Sequence, residues 1–359
     1  MAGRPTIYDV AREAGVAAST VSRAYARPGR VNAGTAQRIF EAAERLGYRW
    51  DRLRGRRPGE RRLHHAIGLV IADVTNPFYG DIIKGAYEAA RETGRMLILS
   101  HTNESPHVER QTIEQELERV DGIVIASSRM SDSALRMMAK QKPLVLLNRI
   151  IPEVTCVTSD GERGIRYAAE HLRSLGHSRI YYLAGPETSW SDGVRWRALR
   201  AVCAELDLEV RRIGPNEPTV LAGLNAARQV AQVDASAVLA YNDALGIGIV
   251  KGLRKVGVSV PDDVSVVGFD NIIFDELVEP TLTTIAAPLY RMGFTGVQNC
   301  IALADGARSS GTPLVLPVRL VERQSTGQRR RNSTSPARGT TRVSLSPARA
   351  GMSIVAGSR

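Results

Sequence analysis

Short apolar runs alternate with amphipathic stretches from residue 66 onward. AIGLVIAD (66–73), MLILS (96–100), GIVIA (122–126) and PLVLLN (143–148) are too short for buried helices and are bounded by polar residues, so each predicts a buried strand. The intervening stretches, about 10–15 residues each, carry helical spacing, and this repetition predicts a parallel α/β sheet. After Asp160 the rhythm restarts, with strands near 179–184, 209–213, 236–240 and 264–268. Two α/β lobes of comparable size follow, with crossovers near residues 158 and 285 and a cleft between them. Parallel sheets gather loops at the carboxyl ends of their strands, where ligands usually bind.

Upstream the period is helical throughout. Thr6 precedes Ile7, Val10, Ala11 and Ala14 and has Asp9 three residues on, the spacing of a capping box that starts a helix. Gly15 ends it. A second helical stretch, Thr20 to Tyr25, begins after only a few residues, which is helix-turn-helix spacing. A third helix is predicted from Ala33 to Leu46, capped by Asn32, with Ile39, Ala42, Ala43 and Leu46 closing a minimal core. Residues 1–47 therefore read as a DNA-binding head, 48–65 as a basic hinge, 66–327 as the two-lobed body and 328–359 as a basic tail without apolar periodicity, for which disorder is expected.

Charge sharpens that division. The formal total is +11, but residues 1–65 hold 14 arginines against 6 acids and residues 328–359 hold 7 arginines and no acid, leaving −4 on the body. A basic module on a mildly acidic body suits a nucleic-acid reader joined to a part with another task. The three cysteines, Cys156, Cys203 and Cys300, are too far apart for a paired-cysteine motif, so a reducing compartment is expected. The opening segment lacks the apolar core of about 7–15 residues of a secretion signal, and no apolar run reaches membrane-spanning length. A cytoplasmic, nucleoid-associated protein without membrane contact is the expectation.

In the second helix, Arg23 is suited to a bidentate contact with guanine, Ala18 to a thymine methyl and Ser19 to a base edge. The hydroxyls of Thr6, Thr20 and Ser22 suit phosphate oxygens, and Arg30, Asn32, Thr35, Arg54, Arg56 and Arg57 complete the candidate DNA contacts. In the body, polar residues cluster where strands end: Asp73, Asn76, Asn148, Asp160, Asn242, Asp243 and Asp270. Carboxylates and amides with Arg195 as a clamp suit a hydroxylated or charged solute, and Phe78 or Trp190 would cover an apolar face. For Asp160 and Asp243 a plain helix-capping role competes evenly. His177 reads as part of a structural turn, Trp196 as core, and Gly246, Gly248 and Gly252 as helix-packing positions. No catalytic signature, metal cluster or cofactor motif is found, so catalysis, metal and cofactor are not expected.

Several segments taken in order resemble the lactose-repressor and galactose-repressor family of bacterial transcription regulators: TIYDVAREAGVAASTVSRA, DVTNPFY, VTSDGERG, LRSLGHSRIYYLAGP, YNDALGIG, VPDDVSVVGFDN and EPTLTTI. The likeness covers about residues 5–326. It implies an all-α helix-turn-helix head on a periplasmic-binding-protein-like core of two Rossmann-like lobes, a homodimer on a palindromic operator, and Ala18, Ser19 and Arg23 at the base-reading positions. It further implies repression by operator occupancy, under a small effector (sugar, sugar derivative or nucleoside-like) held between the lobes. Asp73 and Phe78 fall in the first-lobe effector loop, Asp160 and Arg195 in the second lobe. Arg195 matches the arginine of the family's GP…R-x-x-G-F segment, although Ala198 and Leu199 replace its glycine and aromatic.

The hinge departs from the family pattern. Trp50 and Asp51 replace its Pro-Asn, Gly55 interrupts the short helix, and Arg57 stands where a leucine wedges into the minor groove. That composition favours phosphate contacts over an apolar wedge. A solute-binding protein and a carbohydrate-acting enzyme are the alternatives that share the two-lobed core.

Overall fold

The structure, a computed structural model, describes residues 5–26, 31–46, 48, 64–233 and 235–329, and the chain divides into two units, residues 1–62 and 63–359. In the first unit Thr6 caps α1 (Ile7–Ala14) through the reciprocal Thr6–Asp9 box, and Gly15 closes it at φ 65°, a left-handed conformation that costs glycine little. The tight turn leads into α2 (Ala18–Ala26), and Asn32 Oδ1 accepts from Gly34 N (3.0 Å) at the start of α3 (Ala33–Leu46). Val10, Val21, Ala24, Ile39 and Ala42 are fully buried between the three helices. Tyr48, assigned to the hinge on composition, is buried in this core with its ring 6.3 Å from that of Tyr25.

The second unit begins earlier than its first strand, since His64 N donates to Asp121 Oδ1 (2.6 Å). The first lobe runs β1 (Ala66–Ile71), α4 (Phe78–Glu92), β2 (Met96–His101), α5 (Pro106–Glu116), β3 (Gly122–Ala126), α6 (Asp132–Gln141), β4 (Leu144–Leu147) and β5 (Thr155–Ser159). The chain then passes to the second lobe: α7 (Gly161–Ser174), β6 (Arg179–Leu183), α8 (Trp190–Glu205), β7 (Glu209–Ile213), α9 (Val220–Gln232), β8 (Ala237–Ala240), α10 (Asp243–Lys255), β9 (Ser265–Asp270) and β10 (Thr283–Ala286). It returns for α11 (Leu289–Ala304) and β11 (Leu314–Leu316), and crosses a third time to β12 (Arg319–Val321). The sheets run β11-β5-β4-β3-β1-β2 and β12-β10-β9-β8-β6-β7, parallel throughout except for β12 against β10. The inner strands of each, β1, β3 and β4 in one and β6, β8 and β9 in the other, are buried, as their apolar runs require, whereas the outer strands β2 and β7 are largely exposed.

Helices α9 and α10 approach closely because Gly248 allows it: a Cβ there would stand 2.2 Å from the Val220 carbonyl oxygen. The His177 ring bonds Ser236 Oγ (3.1 Å) and Ser265 Oγ (3.0 Å), which makes it a structural turn residue, and Trp196 stacks on Tyr182 at 5.8 Å. The segment after β12 stays on the second lobe. Ser325 Oγ donates to the Val266 carbonyl (2.6 Å), and Arg329 N donates to the Leu175 carbonyl (2.8 Å). Gln328 and Arg329 are thus ordered against the body rather than part of the tail, the rest of which lies outside the described residues. The three cysteines are free and buried, and no described helix is long and apolar enough to cross a membrane.

Candidate nucleic-acid interface and effector cleft

In the head, one side of α2 packs on the core through Val21 and Ala24 and the other faces outward. Ser19 and Arg23, four residues apart and therefore on one face, are exposed, and Thr20 and Ser22 are half-buried beside them. Ala18 is half-buried against the core, which leaves its methyl only partly presented. Asn32 is exposed and Thr35 half-buried at the start of α3. Thr6 is exposed and serves the helix cap, its hydroxyl donating to Asp9 Oδ2 (2.6 Å) and accepting from Asp9 N (3.4 Å). Arg30, and Arg54, Arg56 and Arg57 with the whole of hinge residues 49–63, lie outside the described residues.

In the body, strand ends from both lobes meet. Asn76, Phe78 and Asn148 of the first lobe and Arg195, Asn242 and Asp270 of the second line one small cavity of about 20 Å³, enough for a water molecule. The adjoining space, about 320 Å³, is bordered by Asn148, Asp160, Trp190, Ser191 and Arg195. Asp73 lies farther out, in the wide mouth of the cleft (about 710 Å³), with its carboxylate turned back to Thr75 N (2.9 Å). Asp160 both caps α7, accepting from Arg163 N (3.0 Å), and borders the cleft. Asn242 likewise caps α10 through Leu245 N (3.0 Å) while lining it.

Arg195 is placed by helix geometry. Ser189 and Asp192 fix the start of α8: Ser189 caps it, and Asp192, buried, accepts from Tyr182 Oη (2.9 Å) and Gly185 N (2.7 Å). One turn on from Ser191, the Arg195 guanidinium enters the cleft, 3.6 Å from the Phe269 ring centroid and 3.5 Å from Asp270 Oδ1, and donates to the Tyr241 carbonyl. Burial pushes the Asp270 carboxyl well above the usual carboxylate range, and the Arg195 charge opposes it. Asp270 Oδ1 is buried without a hydrogen-bond partner among the described residues. Ser191 Oγ reaches across the lobes to the Asn148 carbonyl (3.1 Å).

Asp243 is the clearest departure from expectation. It immediately follows the cap, and the helical twist turns it away from the cleft into the protein, fully buried, so it lines none of these cavities. Conversely, sequence reading missed Glu104, Ser127, Arg129 and Tyr241, all of which line the small cavity. Arg129 is held by Glu104 at 2.6 Å. The signal was available: Glu104, Arg129 and Tyr241 follow β2, β3 and β8, at the same strand ends that located Asp73 and Asn148. Among the described residues no group of three His, Cys, Asp or Glu could hold a metal ion.

Comparison with known proteins matches this division. Residues 6–51 match the model of bacterial regulatory proteins of the lacI family, and residues 169–326 a periplasmic binding protein-like domain. The HTH-type transcriptional regulator DegA of Bacillus subtilis (strain 168) is 32% identical over 90% of this chain and 98% of its own. Among solved structures, the lac repressor dimer bound to operator and the anti-inducer ONPF superposes with a TM-score of 0.75 at 25% identity, covering 90% of this chain and 100% of that one. A transcriptional regulator CelR–cellobiose complex reaches 0.67 at 28% identity, covering 90% and 100%.

Proposed function

The chain belongs to the lacI family of bacterial regulatory proteins, and we propose that it represses transcription as a homodimer on a palindromic operator, with a sugar or sugar derivative in the cleft setting its affinity for DNA. The family is regulatory rather than catalytic. The observation that carries the effector half is the Arg195–Asp270 pair, a buried guanidinium beside a carboxylate oxygen that has no hydrogen-bond partner among the described residues, where both lobes contribute amides. Such planar groups suit adjacent hydroxyls of a small polyhydroxylated ligand. The CelR–cellobiose neighbour supports the same class.

Two-fold assembly is supported by apolar side chains left on the surface: Tyr87, Met96 and Leu99 on the first lobe, and Leu221, Ile273 and Leu277 on the second. A symmetric dimer presents two α2 helices, one to each half of a palindrome. Effector control then requires different ligand affinities in the DNA-competent and DNA-incompetent lobe arrangements. The test of the DNA half is Arg23→Ala. Loss of one bidentate base contact costs about 1–3 kcal/mol per half-site. Specific operator affinity should fall accordingly while melting temperature and dimer mass stay unchanged; unaltered operator affinity removes Arg23 from the interface.

A further inference from the structure

Under the cleft, Asp243 sits in a space that a glycine creates: a Cβ on Gly268 would stand 2.1 Å from Asp243 Oδ1. Its carboxylate is engaged on every side. Oδ2 accepts from Asn271 N (2.5 Å) and Ile272 N (3.1 Å), and Oδ1 from Thr284 Oγ1 (2.5 Å). The two residues just before Ile272 have unusual backbones, Asp270 at φ 122° and Asn271 at φ 66°, conformations that side-chain-bearing residues adopt only when their surroundings hold them there. Arg323 braces the same turn from the other side, donating to Asn271 Oδ1 (2.8 Å) and to the Leu282 carbonyl (2.8 Å). Asp275, fully buried, has two oxygens for which the described residues supply no donor. Burial and the neighbouring Asp243 charge push its carboxyl far up, which favours the protonated form beside Asp243.

We infer that Asp243 is a positioning residue: it never meets the effector, and by holding Asn271 N and Ile272 N it forces the turn that presents Asp270 Oδ1 to Arg195 and the cleft. The inference rests on the reading of Arg195 and Asp270 as effector contacts. It explains why Asn242 and Asp243, adjacent in sequence, divide the work: the first lines the cavity and the second builds the cavity's other wall. Removing the carboxylate lets the Asp270–Ile272 turn relax and carries the Asp270 oxygen away from Arg195.

The experiment uses the full chain without ligand, with hydrogen exchange read at the Asn271 and Ile272 amides and the Asp270 side-chain resonance followed in 13Cγ-aspartate-labelled protein, assigned through Asp270→Asn. Asp243→Ala should speed exchange at those two amides by about a hundredfold and shift the Asp270 resonance, while Asp243→Asn, which keeps an oxygen acceptor, should restore protection to within about tenfold of the wild type. Thr284→Val, a milder variant that removes one support of the carboxylate, should accelerate the same two amides by about tenfold and leave folding intact. Unchanged exchange and resonance in Asp243→Ala, exchange in Asp243→Asn as fast as in Asp243→Ala, or unchanged amides in Thr284→Val would overturn the assignment. Neither readout needs an effector, so failure here leaves the sugar-binding reading standing, and failure of a sugar screen leaves this one standing.

Discussion

Replacing Arg195 with alanine removes a guanidinium that is buried, stacked on Phe269 and set 3.5 Å from the Asp270 carboxylate. What remains is an acid in a low-dielectric wall, already displaced upward in pKa by burial, with its nearest cation gone. Breaking a buried pair by deleting one partner costs about 3–5 kcal/mol, part of which Asp270 recovers by taking up a proton. For a unit of this size each kcal/mol moves the melting temperature by about 2–4 °C, so Arg195→Ala should melt about 6–20 °C below the wild type in scanning calorimetry. The double variant Arg195→Ala/Asp270→Asn no longer carries the stranded acid and should recover about 1–3 kcal/mol of the loss. Neither variant should respond to effector, which separates the stability contribution of the pair from its recognition role. An Arg195→Ala protein that melts with the wild type, or a double variant less stable than the single one, would refute this reading of the pair.

Two further outcomes follow from charge and burial. Burial lowers the pKa of both His171 and His177 below the ordinary 6.5, so folding favours the neutral rings; their contribution is fully present above about pH 6.5 and is lost progressively below it as pH falls through the lowered pKa of the folded rings. Between pH 8 and pH 5 the wild-type urea midpoint should therefore fall relative to that of His177→Gln; parallel pH profiles would remove His177 as a contributor. Deleting residues 330–359, which carry arginines and no acid, should weaken binding to unrelated DNA at low salt and flatten its salt dependence while leaving operator selectivity unchanged. An identical salt slope would show the tail to be passive.

The elements that local physics determines are legible in the amino-acid sequence itself. The Thr6–Asp9 box and Gly15 bound α1, Asn32 starts α3, and the apolar runs of β1 to β4 fall within two residues of their observed ends. The strands that cannot be read there lack that signal. β5 is TCVTS, buried but half hydroxylated, and β11 and β12 are three residues each, separated by the Pro317 crossing between lobes. The cleft is legible only as far as strand ends reveal it. Asn148 and Asp270 follow that rule, and so do Glu104 and Arg129, whose strand-end positions mark them but whose pairing only the ion pair reveals. Asp243 misleads for the opposite reason: adjacency to Asn242 suggests a shared task, and one step of helical twist separates them.

A DNA-binding head is joined here to a ligand-binding core, and one measurement reaches both: selection of binding sites from random DNA by the purified chain, repeated across a panel of sugars and their derivatives. The expected result is a palindrome with half-sites of equal sequence, enriched by the wild type and not by Arg23→Ala, and a change in enrichment with at least one sugar that vanishes in Arg195→Ala. Selection of no common site, or of an unpaired half-site indifferent to every sugar that stabilises the protein, would contradict it.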